Sequence, residues 1–595
     1  MLTSSGKHFQ GPQGRLLLMV ALMMAILVGR LFYLQILDFE NYQRHSRENR
    51  FEQRRIPSAR GRILDRHGRV LAENLTACEL SLALSAHDAD STLIRRVADI
   101  LSRPAAELLA RVEFARESGL PRAVLERDLP QASLLAIEEK LHSLPGIKLQ
   151  DWARRNYPMG ELGAHFLGYV GEVSESEVLA KRGSDEPFFP GDLVGRSGAE
   201  QRWQERLRGR DGKELFLVNA RGTLLETVEF VPPVPGETLI LSLDIELTAL
   251  LDSALAAWGQ GAGVVMDVNN GQVLAMSSRP SYDPNLFTGG IPTQIWEALS
   301  TDPGRPLFNR ALQATYPPGS TYKPVVSLAA LENNTLQKLG QLESCYGGLQ
   351  LGRRYFRCWF EQGHGALDLE HAMERSCDVW FYQVGDGLGA DAMARMARRF
   401  GLGSPTGLDL GYESRGLVPD VDYYNERFGK RKWSRGLLWN IAIGQGEVLV
   451  TPIQMARFYA GLASGNRLPV PQLLLRSEGV EGAEPLRPPP PEDLSVRSSH
   501  LERVREGLEL VLHGTWGTAR GSAVPGMRAA GKTGTVQNPH GLEHGWFCGY
   551  APADDPQIAI AILIEHAEHG SDVAPIFRTL VKKWRELEGI SEDLP

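Results

Sequence analysis

Tyr316-Pro317-Pro318-Gly319-Ser320-Thr321-Tyr322-Lys323-Pro324 is the stretch from which the rest of the chain can be read. Two prolines and a glycine stop what precedes them. An apolar helical pattern follows through Val325, Val326, Leu328, Ala329 and Leu331. Ser320 is therefore predicted at a helix N-terminus, with Lys323 three residues on and on the same face. A serine hydroxyl is a weak nucleophile near neutrality and needs an adjacent base. An amine one turn away serves if burial or a second cation lowers its pKa from about 10.4 towards 7 or 8. The free N–H groups of a helix end also favour a developing oxyanion. Pro324 fits, because its missing N–H falls among the first-turn orphans. Ser-x-x-Lys alone arises often by chance, so the weight falls on its company.

Two further segments supply that company. Gly531-Lys532-Thr533-Gly534-Thr535 reads as a strand near the C-terminus, and Ser376-Cys377-Asp378 lies between it and Ser320. Lys532 offers a cation for a substrate carboxylate and helps depress the pKa of a neighbouring lysine. Thr533 and Thr535 offer hydroxyls, Gly534 lets a ligand backbone lie close, and such a strand can pair with an extended peptide. Ser376 and Asp378, two apart in a segment read as non-helical, point one way and Cys377 the other.

The elements around these segments predict an α+β fold. Residues 238–243 are β-like and 245–258 form an amphipathic helix; 261–268 and 272–278 flank the hairpin signal Asn269-Asn270-Gly271. Helices dominate from 324 to 463, Pro488 to Pro491 read as an exposed connection, and strands return at 528–537, 544–551 and 557–566 before a last helix. The expectation is an antiparallel sheet closed by both ends of its own sequence and flanked by helices, with an all-helical lobe between.

At 595 residues the chain should hold two to four domains of about 150 residues. A net charge of −8 without a long basic run excludes nucleic acid as the main partner. Residues 16–37 are apolar except for Arg30 and Gln35, and as a helix they would reach about 33 Å, enough to span a membrane. The alternatives are a cleaved signal peptide, for which no small-x-small site follows, and a buried soluble helix. Lys7 and Arg15 precede this span, whereas Arg44, Arg47, Arg50, Arg54 and Arg55 follow it. A plain positive-inside count would thus leave the large domain in the cytoplasm. The predicted division is a tail (1–15), a transmembrane helix (16–37), an elongated mixed α/β pedestal (38–235) and a C-terminal domain (236–595), the last boundary resting on Val231-Pro-Pro-Val-Pro-Gly236. Within the pedestal, 41–60 reads as helix, 60–74 as two short strands about a His67-Gly68 turn, and 93–101, 105–117 and 134–144 as helices.

Cys345, Cys358, His364 and Cys377 are separated by twelve, five and twelve residues in a turn-rich segment. Three thiolates and an imidazole suit a closed tetrahedral zinc site; a Cys345–Cys358 disulfide and buried free thiols are the alternatives. Cys78 and Cys548 read as packing residues. Trp546 and Tyr550 are read as core rather than as substrate contacts, and Asn285 as a cap.

Ser320-x-x-Lys323, Ser376-x-Asp378 and Lys532-Thr-Gly534, in this order, resemble the signature of penicillin-binding proteins and β-lactamases. Arg60-Gly-Arg-Ile-Leu-Asp65, Pro280-Ser-Tyr-Asp-Pro-Asn285, Ile443-Gly-Gln-Gly446, Thr451-Pro-Ile-Gln454 and His544-Gly-Trp-Phe-Cys-Gly-Tyr-Ala-Pro552 extend the likeness to class B penicillin-binding proteins, most closely the elongation-type branch. That resemblance implies a single-pass anchor in the inner membrane, a pedestal and a periplasmic transpeptidase domain, against the charge count. It implies that Ser320 attacks the carbonyl between the terminal D-alanines of a peptidoglycan stem peptide, with Lys323 as base and Ser376 relaying the proton. The N–H groups of Ser320 and Thr535 form the oxyanion hole, and an amine from a second stem peptide resolves the acyl-enzyme. Asp378 stands where asparagine is commoner in the family, although aspartate is usual in the elongation-type branch. Zinc is associated with that branch. A SEDS-family glycosyltransferase and other elongation-complex proteins are its implied partners. A D,D-carboxypeptidase, a membrane-bound β-lactamase and a chiefly regulatory subunit are the alternative functions.

Overall fold

Asn269-Asn270-Gly271 turns the chain as expected. The computed structural model describes residues 12–38, 51–84, 91–117 and 122–590, apart from 182, 185, 190, 219–223, 431, 481 and 539–540. In it β1 (Gly261–Asp267) and β2 (Val273–Arg279) form an antiparallel hairpin. The Asp267 carboxylate accepts the N–H groups of Asn269 and Asn270 at 2.8 and 3.2 Å. Gly271 follows at φ +76°, where a side chain would also strike the Val470 carbonyl.

β1 then pairs with the last strand of the chain. With β3 (Ala530–Val536), β4 (His544–Ala551) and β5 (Ile558–Ile564), the sheet order is β2-β1-β5-β4-β3, antiparallel throughout. This is the sheet closed by both ends of its sequence. Both faces are covered, so β5 reads as an unbroken apolar run, Ile-Ala-Ile-Ala-Ile-Leu-Ile. Val264, Trp546 and Ala561 belong to a core shared with α4 (Pro452–Ala463), every residue of which is buried. Val265, Phe547 and Ile562 pack instead with α1 (Ile245–Ala256) and α5 (Gly570–Leu587). Trp546 and Tyr550 are fully buried core residues, as read.

The lobe between β2 and β3 is helical, including α2 (Lys323–Glu332) and α3 (Asp378–Leu388). It is not all-helical, because Gly348–Leu351 and Arg354–Arg357 form a two-stranded hairpin within the cysteine-rich segment. The prolines at 488–491 are exposed.

Two compact units are distinguished by packing, Met1–Ala59 with Gly209–Pro235, and Arg60–Arg208 with Gly236–Pro595. In the first, Leu16–Leu37 is helical with a mean hydropathy of 2.3 and no burial, long and apolar enough to cross a membrane. The same unit holds a three-stranded sheet of Phe51–Ile56, Gly212–Val218 and Leu224–Val231. The helix expected over 41–60 is therefore wrong for 51–56; residues 41–50 lie outside the described residues. The charge pattern of 51–56 suits a helix, but a ladder to a strand some 160 residues away overrides it.

In the second unit Ile63–Leu64 and Val70–Ala83 flank the His67-Gly68 turn, the latter far longer than the short strand expected and paired with Ile147–Asn156. Thr238–Leu241 adds to Ile63–Leu64 in parallel and to Leu474–Gly479 antiparallel, so one sheet continues across these segments. Asp65 is buried and accepts the N–H groups of His67 and Arg69. Glu200, fully buried, accepts from Arg155 at 2.6 Å and Arg60 at 2.7 Å. Asn285 is not the cap: Asp283 caps that turn, while Asn285 brackets the backbone N–H and carbonyl of Tyr157 at 2.9 Å each.

Candidate active site

Ser320 sits in the single 3-10 turn Gly319–Tyr322 that runs directly into α2. Gly319 takes φ +56°, and a side chain there would meet the Thr535 carbonyl at 2.8 Å, so the turn lies tight against β3. The Gly319 N–H donates to the Gly444 carbonyl (2.8 Å) and the Trp546 indole to that of Pro317 (3.0 Å). Ser320 is half-buried, whereas Lys323 is fully buried. The Lys323 ammonium donates to the Ser376 carbonyl at 2.8 Å, Ser376 Oγ at 3.1 Å and Asp378 Oδ1 at 2.8 Å, and lies 5.1 Å from the Phe381 ring centre.

The second segment reaches that lysine by a different local geometry from the one expected. Ser376 is left-handed at φ +54°, Cys377 is the extended N-cap, and Asp378 is the first residue of α3. The outcome is the same: Ser376 and Asp378 meet Lys323 while Cys377 turns to the other side. A left-handed serine costs on the order of 1–3 kcal/mol and persists only where its surroundings enforce it. Trp359 enforces it. Its backbone N–H donates to Asp378 Oδ2 (3.2 Å), and its indole is shared between the carbonyls of Arg375 (3.0 Å) and Ser376 (3.1 Å).

The third segment is β3, whose outer edge pairs with no other strand among the described residues. Lys532 is fully buried, and its ammonium donates to the Thr533 carbonyl at 3.2 Å. Its pKa is held well below the usual lysine range by burial and then by the Lys323 charge, against the pull of Asp378. Burial pushes the Asp378 carboxyl up, and Lys323 opposes it. Thr533 Oγ1 lies 2.9 Å from Thr518 Oγ1, the Thr535 hydroxyl accepts the Gly570 N–H, and the Thr535 carbonyl accepts from Gln445 (2.9 Å).

Beside this site the ligand atoms of Cys345, Cys358, His364 and Cys377 lie within 4.8 Å of one another. His364 Nδ1 is 3.7 Å from Cys345 Sγ and 3.5 Å from Cys358 Sγ. All five cysteines are free thiols, so no Cys345–Cys358 disulfide is present. Cys358 is pushed down to about 3 by the hydrogen bond it accepts from Cys377, and the same contact pushes Cys377 up. The donor set of three thiols and an imidazole fits a tetrahedral thiophilic cation.

Residues 261–582 match the family model of the penicillin binding protein transpeptidase domain, and residues 55–241 that of the penicillin-binding protein dimerisation domain. The chain belongs to the penicillin-binding proteins. A peptidoglycan D,D-transpeptidase, MrdA, of Acinetobacter baumannii is 32% identical over 590 residues, covering 95% of this chain and 86% of the relative. The solved complex of PBP2 with MreC from Helicobacter pylori superposes with a TM-score of 0.81 at 29% identity, covering 91% of this chain and 100% of that one. A solved peptidoglycan synthase complex gives 0.72 at 31% identity over 98% and 99% of the two chains.

In this penicillin-binding protein the structure thus brings Lys323, Ser376 and Asp378 into direct contact, sets Lys532 within reach of their charges, and lays Gly319 against β3. Sequence reasoning missed three supporting residues. Gln445 stood in the quoted Ile443–Gly446 segment, and Trp359 follows a cysteine of the cluster, so both had a signal. Thr518 had none.

Proposed function

We propose that this penicillin-binding protein is a serine D,D-transpeptidase that cross-links peptidoglycan stem peptides during cell-wall elongation and is acylated by β-lactams. The observation that carries the reading is the Lys323 ammonium, buried and held by Ser376 Oγ and Asp378 one turn from Ser320. Once the Lys323 ammonium has given up a proton to solvent, Ser320 Oγ attacks the carbonyl between two D-alanines as its own proton passes to the neutral Lys323 amine, and the oxyanion is received by the N–H groups of Ser320 and Thr535. The C–N bond then breaks, and the leaving D-alanine amine takes a proton relayed through Ser376. Lys532, Thr533 and Thr535 hold its carboxylate, and the peptide lies along the open edge of β3; the missing side chain of Gly534, expected to admit a ligand backbone, instead makes room for the Pro318 carbonyl (2.9 Å) and Thr321 (3.0 Å). An acceptor amine reverses these proton movements as it forms the new peptide bond. The relatives' names favour this over the hydrolase readings.

We further propose that Cys345, Cys358, His364 and Cys377 hold a structural zinc ion, which would fix the loop carrying Ser376 and Asp378. No cofactor takes part in acyl transfer. The proposed organisation is a single-pass anchor at 16–37 in the cytoplasmic membrane, a pedestal (38–235) and a catalytic domain (236–595) in the periplasm. Through anchor and pedestal it would engage a SEDS-family glycosyltransferase and other elongation-complex proteins; the solved relative bound to MreC supports such contacts. The test is mass spectrometry after incubation with penicillin. One adduct on Ser320, absent in Ser320→Ala, is expected; an adduct elsewhere, or none on the native chain, rejects the reading.

A further inference from the structure

The acyl-transfer reading leaves one sizeable cleft unused. It has a volume of about 450 Å3 and is lined by, among others, Gln337, Gln341, Glu343 and Trp380 together with two members of the cluster, Cys345 and Cys377. Gln337, Gln341 and Glu343 are exposed and make its rim, whereas Cys345 and Cys377 are 2% and 1% exposed and lie at its inner end. On the other side of the cluster the half-buried His364 packs at 5.5 Å from Trp359 and 5.2 Å from Phe360, two rings that are themselves exposed. Cys358, buried beside Trp359, does not line the cleft.

Chain connectivity ties the cluster to the catalytic groups from both ends. Cys377 lies between Ser376 and Asp378, whose side chains meet Lys323. Cys358 precedes Trp359, whose N–H groups hold Asp378 and the Ser376 carbonyl. Whatever reaches the sulfurs from the cleft therefore acts on the second catalytic segment without entering the substrate site.

We infer that this cleft is the port through which a thiophilic divalent cation enters and leaves the three-thiol cluster, so that the catalytic geometry follows metal supply to a face that substrate does not occupy. The metal half of this inference rests on the zinc reading above; the route to the sulfurs does not. The exposed Glu343 carboxylate at the rim gives an incoming cation its first anionic contact.

The test uses the full-length protein in detergent, with Gln337→Trp and Gln341→Trp combined to fill the cleft from its rim. Zinc release into excess pyridylazoresorcinol is followed by absorbance, and iodoacetamide labelling of each cysteine in metal-stripped protein by mass spectrometry. Blocking is expected to slow both release and the labelling of Cys345 and Cys377 by about tenfold or more, equivalent to about 1.4 kcal/mol of barrier. Penicillin acylation of the zinc-loaded variant should stay within about twofold of native. Because thiolate content differs among the three cysteines, each is compared with itself in native and blocked protein, and Cys358 should be slowed no more than Cys345 and Cys377. Equal rates in native and blocked protein overturn the inference. So does a Trp359→Ala variant that restores fast release to the blocked protein, since that places the route through the aromatic face. A protein that binds no zinc but in which blocking slows the labelling of Cys345 and Cys377 refutes the zinc reading and leaves the port intact.

Discussion

Replacing Lys532 by methionine should stabilise the protein while disabling it. The side chain is fully buried, and among the described residues its ammonium makes one hydrogen bond, to the Thr533 carbonyl, with no carboxylate within 4.0 Å. Burial and the neighbouring Lys323 charge place its folded pKa well below 10.5. Between that lowered value and 10.5 the unfolded chain binds a proton that the folded chain does not. Unfolding free energy therefore rises with pH across this window, by up to about 1.4 kcal/mol per unit. Methionine keeps the length of the stem and removes both the amine and the slope. The unmet hydrogen bonds of a buried polar group cost about 1–3 kcal/mol. Lys532→Met should recover that much at pH 7, a rise in melting temperature of about 2–4 °C per kcal/mol. Penicillin acylation should fall by about 10–100-fold, because a hydrogen bond to a charged carboxylate is worth about 1.5–3 kcal/mol. Thermal melts of both proteins from pH 6 to 9, paired with acylation rates, test this. A variant that melts below native at pH 7, or that keeps the native pH slope, refutes the reasoning.

Three further substitutions probe other parts of the argument. Cys345→Ser should take bound zinc from about one equivalent to well under one by metal analysis, and should slow acylation without removing Ser320 labelling. Asp378→Asn should cost about 1–3 kcal/mol in thermal stability, because one of its two hydrogen-bond partners then faces a donor. Arg155→Met leaves the buried Glu200 with Arg60 and the Tyr157 hydroxyl, a loss of about 3–5 kcal/mol. Limited proteolysis should then cut within 60–208 sooner, while Ser320 still takes up penicillin.

Local pattern made the catalytic segments and the closed sheet legible. Pro317-Pro318-Gly319 before an apolar run marks a helix start without further information, and Asn269-Asn270-Gly271 marks a hairpin. What sequence concealed depended on partners far away. Phe51–Ile56 is a strand because Gly212–Val218 pairs with it, and Val70–Ala83 is long because Ile147–Asn156 runs beside it. Asn285 looked like a cap because nothing near it shows that Tyr157, 128 residues earlier, is its partner. The hairpin of Gly348–Leu351 and Arg354–Arg357 is too short to give a period of two.

The aspartate at 378, placed by the sequence among the catalytic residues, shows how one such distant partner accounts for a side chain. Read alone, it replaces an amide donor with an acceptor. In the folded chain both of its oxygens receive donors, Oδ1 the Lys323 ammonium and Oδ2 the Trp359 backbone N–H. An asparagine has one acceptor oxygen and would turn its NH2 on one of these donors. The Trp359 N–H is a backbone group and cannot rotate away, and its position follows from Cys358 and the cluster that Cys358 joins. Aspartate thus meets both the lysine and the N–H that the cysteine loop delivers. Where no such loop delivers an N–H to this carboxylate, asparagine has an oxygen for the lysine and is free to spend its donor elsewhere.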